Sequence, residues 1–95
     1  MKTEMKRLSD PSLAADLFSG WEETMIYSCL EGTTGSVYAE CMDGKPLSAV
    51  CIAVDFAFFS GIPSPSLITH DYGKSFLILT PRDRAWQLCI ERTLA

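Results

Sequence analysis

The spacing of apolar positions divides the chain into segments of different period. In MKTEMKRL, residues 1–8, Met1, Met5 and Leu8 stand among charged residues without alternation, a weak signal for an opening edge strand. From Ser9 the spacing becomes helical. Ser9 or Asp10 can cap, Pro11 suits a first turn because its missing N–H costs nothing there, and Leu13, Ala14, Leu17 and Phe18 form one stripe. Gly20 interrupts this segment, yet Trp21, Met25 and Cys29 continue from Leu17 in steps of four, with Ile26 and Leu30 beside them. The pattern predicts two consecutive helices or one helix kinked near Gly20, closed by Gly32 as a C-terminal cap.

Beyond Gly32 the period falls to two. Val37 to Cys41 reads as a short strand, Asp43-Gly44 as a hairpin turn, and Leu47 to Phe59 as one long strand. In that strand Val50, Ile52, Val54, Phe56 and Phe58 share one face, and Ala49, Cys51, Ala53, Asp55 and Ala57 share the other. Both faces are apolar, so helices are expected on both, and the small-residue face admits close approach. Residues 61–74, rich in Pro, Gly and Ser, are expected to form a loop with Leu67 and Ile68 turned into the core. SFLILT, residues 75–80, reads as a buried strand. A last helix follows, with Thr80 as cap, Pro81 in its first turn and Asp83 as a carboxylate variant of the capping box. Its buried stripe is Ala85, Trp86, Cys89, Ile90 and Leu94. The elements run strand, two helices, three strands, helix: an α+β layered domain over 1–95, with a mostly antiparallel sheet.

Composition narrows the function classes. A 95-residue chain with 47% hydrophobic and 21% charged residues has enough apolar material for one core and lacks the signature of disorder. Eight basic residues against twelve acidic ones leave a net charge of -4 without a basic stripe, which argues against a nucleic-acid surface. The N-terminus lacks an apolar signal core, and no apolar run approaches membrane-spanning length, so a soluble cytoplasmic protein is expected. Cys29, Cys41, Cys51 and Cys89 form no C-x-x-C pair and sit beside apolar residues; they read as reduced core thiols, with no metal site expected.

Several residues invite a chemical reading. Asp55, the one acid in SAVCIAVDFAFFSG, is either a ligand-facing carboxylate or a point where the strand bends, and its place inside an overlong strand favours the bend. His70, Asp71 and Tyr72 could support acid-base work, but adjacent loop residues point apart and no nucleophile accompanies them. FSGIPS does not supply the G-x-S-x-G elbow of a serine hydrolase. Arg82 and Arg84 near a helix start suggest a phosphate cradle, yet no glycine follows Leu79 and Pro81 removes a donor, so an ordinary capped helix is the better reading. Trp21, Trp86, Phe56, Phe58 and Phe59 fall on apolar stripes and are expected in the core.

The stretches YSCLEGTTGSVYAECMDGKPLSAVCIAVDFAFFSGIPS and SFLILTPRDRAWQLCIE resemble the N-terminal half of GNAT-like acetyltransferases of the zwittermicin-resistance type. The likeness covers about residues 30–95 and is carried by C-L-E-G after the second helix, the V-Y strand, D-F-x-F-F-x-G, and F-L-I-L-x-P leading into the helix with Trp86. It implies a partial GNAT unit that builds the sheet, while a separate C-terminal half holds acetyl-CoA. The family's pyrophosphate motif, Q/R-x-x-G-x-G/A between a strand and a helix, has no counterpart in LTPRDRAW, so no catalytic or cofactor-binding residue is transferred. The expected role is a scaffold or acceptor-side wall that binds no cofactor by itself and partners a C-terminal GNAT half. The alternative is a non-catalytic module that self-associates through the edge of SFLILT. A small enzyme built on His70 or the carboxylates is the third and least supported reading.

Overall fold

The computed structural model describes residues 3–95. One five-stranded sheet, ordered β1-β2-β3-β4-β5, forms its middle layer. β1 (Thr3–Arg7), β2 (Ser36–Met42), β3 (Lys45–Ala53) and β4 (Phe56–Gly61) are antiparallel to their neighbours, and β5 (Ile78–Pro81) lies parallel to β4. The weakly signalled first strand therefore forms, paired with β2 from Thr3 opposite Met42 to Arg7 opposite Tyr38; Met1 falls outside the described residues.

A 3₁₀-helix, Pro11–Phe18, and α1, Thr24–Leu30, cover one face. Asp10 caps the first, its carboxylate accepting from the Ser12 N–H at 3.2 Å. Of the two helical arrangements expected, the separate pair forms. α1 closes as predicted at Gly32: Gly32 N–H donates to the Cys29 carbonyl and Thr33 N–H to the Ser28 carbonyl, each at 3.0 Å, with Gly32 at φ +78°. Ala14, Phe18, Ile26 and Cys29 pack on Val37, Ala39, Ala49, Cys51 and Phe58. Leu13, expected in the buried stripe, is 55% exposed. A 3₁₀-helix repeats every three residues, so Ala14 and Leu17 align over the core while Leu13 turns outward.

The hairpin at Asp43-Gly44 forms with both residues at positive φ, 54° and 78°, the mirror-type turn that matches strand twist. The single strand expected over 47–59 does not. The chain reverses at Val54-Asp55, so that β3 and β4 pair through Ala53 opposite Phe56 and Cys51 opposite Phe58. The reversal exchanges the predicted faces. Phe56 and Phe58 join the small residues Ala49, Cys51 and Ala53, while Ala57 and Phe59 join Val50 and Ile52. Val54 occupies the turn at φ +54°, a position where β-branched residues are rare, and no Gly, Asn or Pro marks the spot.

The second face is covered by α2 (Pro65–Thr69) and α3 (Arg84–Leu94). α2 forms inside the stretch expected to be a loop, and it is what buries Leu67 and Ile68. α3 is capped by Asp83, whose carboxylate accepts from the Trp86 N–H at 3.0 Å; Thr80 and Pro81, expected as its cap and first turn, end β5 instead. Trp86 is fully buried, its ring centroid 5.1 Å from that of Phe59, and its Nε1–H donates to the Gly61 carbonyl at 2.9 Å. Ala85 and Leu94, predicted in the buried stripe of α3, are exposed. SFLILT is likewise not a buried strand: β5 is the outer strand of the sheet, with Phe76 60% and Ile78 47% exposed, because among the described residues no further strand covers its free side.

Candidate functional site

Parallel strands joined by a helix place ligands at their carboxyl ends, which here are the ends of β4 and β5. The groups gathered there are Ser60, Gly61 and Arg82, and they bond to one another's surroundings. The parallel ladder continues past the end of β5, the Arg82 N–H donating to the Phe59 carbonyl at 3.2 Å. No cleft therefore opens between the two strands. The Arg82 guanidinium crosses the mouth: Nη1 donates to the Leu17 carbonyl at 2.8 Å and to Ser60 Oγ at 3.3 Å, and Nη2 donates to the Ser19 carbonyl. Ser60, fully buried, gives its hydroxyl proton to the same Leu17 carbonyl. The cation thus neutralises the carbonyl end of the 3₁₀-helix, while remaining exposed.

Neither strand-to-helix junction forms a phosphate cradle. Between β5 and α3 the linking residues are Arg82 and Asp83, without glycine. Between β4 and α2 there is Gly61 at φ +89°, but a Cβ placed on it would stand 2.5 Å from the Leu47 carbonyl oxygen and 2.8 Å from Ser48 Cα. The space that glycine leaves is filled by β3 backbone, and Pro63 and Pro65 contribute no donors. Among the described residues every buried side-chain nitrogen and oxygen has a hydrogen-bond partner, so no orphaned group waits for a ligand. These donors do not fit a coenzyme A pyrophosphate.

His70 is exposed at the end of α2, and the structure groups it with Tyr72 rather than Asp71. The His70 ring lies 4.8 Å from Tyr72 and 5.5 Å from Tyr38, with the two tyrosine rings 4.7 Å apart, centroid to centroid. Tyr38, on β2, was not identifiable from sequence as a member of this cluster. Tyr72 donates its hydroxyl to the Leu67 carbonyl at 2.5 Å, and burial, then the neighbouring Tyr38, pushes its phenol up. An acidic phenol ready to transfer a proton is the opposite of that. Beside the cluster a cavity of about 210 Å³ lies against Phe59, Ile68, Leu77 and Leu79.

Asp55 sits half-buried in the β3–β4 turn, its carbonyl accepting from the Ile78 N–H at 2.6 Å. It is punctuation, as expected, but in a full reversal rather than a bulge. The four cysteines are free, with Cys29, Cys41 and Cys51 buried. A hydrogen bond from the Cys51 thiol pulls Cys29 below its ordinary value against the effect of burial, and the same bond together with burial pushes Cys51 up. Among the described residues no group of three His, Cys, Asp or Glu side chains is arranged to hold a metal ion, and no helix is long and apolar enough to cross a membrane.

Comparison with known proteins supplies what this geometry lacks. No curated protein matches the chain. A solved structure of a GCN5-related N-acetyltransferase-like protein from Streptococcus suis 89/1591 superposes with a TM-score of 0.74 at 36% identity, covering 87% of this chain and 34% of that one. The chain therefore spans about a third of that protein's length. The model of the GNAT acetyltransferase family matches residues 15–95. With the five-stranded sheet, its parallel β4–β5 pair and helices on both faces, that match places this chain in the GNAT acetyltransferase family.

Proposed function

We propose that residues 1–95 are the N-terminal, non-cofactor-binding portion of a GNAT-like N-acetyltransferase of the zwittermicin-resistance type. In this role the domain is a scaffold or acceptor-side wall, and a separate C-terminal portion holds acetyl-CoA. The observation that carries the reading is the state of the β4–β5 carboxyl ends. The Arg82 N–H pairs with the Phe59 carbonyl, and the Arg82 guanidinium donates to the carbonyls of Leu17 and Ser19. Coverage of only 34% of the Streptococcus suis chain supports it, and the unpaired thiols suit a reducing cytoplasm. Isothermal titration of residues 1–95 with acetyl-CoA tests it. No heat of binding is expected at millimolar ligand; micromolar affinity overturns the reading.

A second reading, a non-catalytic module that pairs with its own copy, is favoured by the exposed Phe76 and Ile78 at the β5 edge. Light scattering after size exclusion separates the two, since a strict monomer at high concentration removes self-association.

A further inference from the structure

The cavity of about 210 Å³ takes its lining from Phe59 on β4 and from the segment that leads from α2 into β5, and none of it from Ser60, Gly61 or Arg82. Its inner wall is apolar: Phe59, Ile68, Leu77 and Leu79. Every buried side-chain nitrogen and oxygen among the described residues is already hydrogen-bonded, so the wall makes no polar demand, and a ligand's polar group belongs at the mouth. A cavity of about 150 Å³ lined by Leu, Ile and Phe is large enough for benzene. The space here therefore admits one six-membered ring with a short substituent.

The rim is set by contacts that hold it in place. The Tyr72 hydroxyl donates to the Leu67 carbonyl at 2.5 Å, the Tyr38 ring meets the Tyr72 ring edge-on with centroids 4.7 Å apart, and His70 lies 4.8 Å from Tyr72. Phe76, 60% exposed, adds a further aromatic face. Aromatic rings gain from edge-to-face contact beyond simple burial, which selects a flat ring over an alkyl chain. The charges at the rim are Asp71 and Lys74. One Asp71 carboxylate oxygen accepts from the Gly73 N–H at 2.8 Å, so part of that charge is engaged within its own loop. Lys74 is exposed and brings a full positive charge and three donors, which favours a ligand carrying negative charge.

We propose that this cavity binds a small aromatic monocarboxylate, its ring against Phe59, Leu77 and Tyr72 and its carboxylate toward Lys74. The site stands apart from the strand ends at Arg82 and does not depend on the function proposed above. A ligand of this size, held by one ring and one exposed charge, binds in the millimolar range.

Amide chemical-shift titration with benzoate tests this, on the polypeptide as cells make it and on residues 1–95. Shifts are expected to gather at Phe59 and residues 68–79 and to saturate in the millimolar range, while acetate moves nothing there. Lys74→Met should weaken benzoate about 2- to 5-fold, the effect of losing one exposed ion pair, and leave benzyl alcohol binding unchanged. Phe76→Ala, at a position too exposed to endanger folding, should weaken both ligands. Benzylamine binding as tightly as benzoate, benzoate indifferent to Lys74→Met, or no saturable shift at residues 68–79 overturns the proposal. A response in residues 1–95 that is lost in a longer cellular polypeptide shows the cavity filled by the rest of the chain, and overturns it as well.

Discussion

Arg82 ties three parts of the fold that are distant in sequence, and its removal should be felt in stability. Its guanidinium serves the Leu17 and Ser19 carbonyls and Ser60 Oγ, linking the β5–α3 connection to the 3₁₀-helix on the opposite face of the sheet. An intramolecular hydrogen bond contributes about 0.5–1.5 kcal/mol net. Arg82 is exposed, so water replaces part of what Arg82→Ala removes, and the expected loss is the lower part of the summed range, about 1.5–2 kcal/mol. At roughly 4–8 °C per kcal/mol for a domain of this size, the melting temperature should fall by roughly 10 °C. Arg82→Lys should recover less than half, because an ammonium has no planar fork to span two carbonyls. Ser60→Ala shares the Leu17 acceptor, so the double variant should depart from additivity by at least about 0.5 kcal/mol. Urea unfolding followed through Trp21 and Trp86 fluorescence measures the four variants against the parent. An Arg82→Ala variant within about 0.3 kcal/mol of the parent, or full recovery by lysine, refutes the clamp.

Two glycines with similar backbone angles should respond differently to alanine. At Gly32 (φ +78°) nothing lies within 4 Å of the new Cβ, so Gly32→Ala should cost only the left-handed strain of about 1–2 kcal/mol. At Gly35 (φ +71°) the Cβ would stand 2.2 Å from the Ile52 carbonyl oxygen and 2.8 Å from Cys29 Sγ, so Gly35→Ala should cost well over twice as much; equal urea midpoints would show that β2 shifts freely. Val54→Gly should raise stability by about 0.5–1 kcal/mol, since Val54 sits at φ +54° and, being 71% exposed, gives up little burial; a lower midpoint would place the turn elsewhere. Stability should also decline above about pH 9. Burial pushes the Cys41 thiol up, and burial pushes the Tyr72 phenol up. The unfolded chain therefore releases these protons first, beginning near the ordinary thiol value of 9.0, and alkali favours it. Cys41→Ala should flatten that decline between pH 8 and 10, and an unchanged slope would reject the assignment.

Which elements were legible depends on where their determinants lie. The Asp43-Gly44 hairpin, the Gly32 cap and the buried Leu67–Ile68 pair were readable because a few adjacent residues specify them, and the structure realises each. The Val54-Asp55 reversal was not, because β pairing across Cys51–Phe58 and Ala53–Phe56 outweighs a turn sequence that local preference disfavours. The same override moved Phe56 and Phe58 to the opposite face. At the candidate site the limit was different: Arg82 was visible as a charge near a helix start, but its acceptors are backbone carbonyls at Leu17 and Ser19, more than sixty residues earlier. Any residue presents a carbonyl, so no side-chain pattern could announce them. This changes what Arg82 implies about function. A guanidinium at the carboxyl end of a parallel strand pair is ordinarily a reason to expect an anion, but here the same group already donates to the Leu17 and Ser19 carbonyls. The missing glycine and the carbonyl-bound guanidinium are two independent features at this end that a phosphate would have to displace or do without.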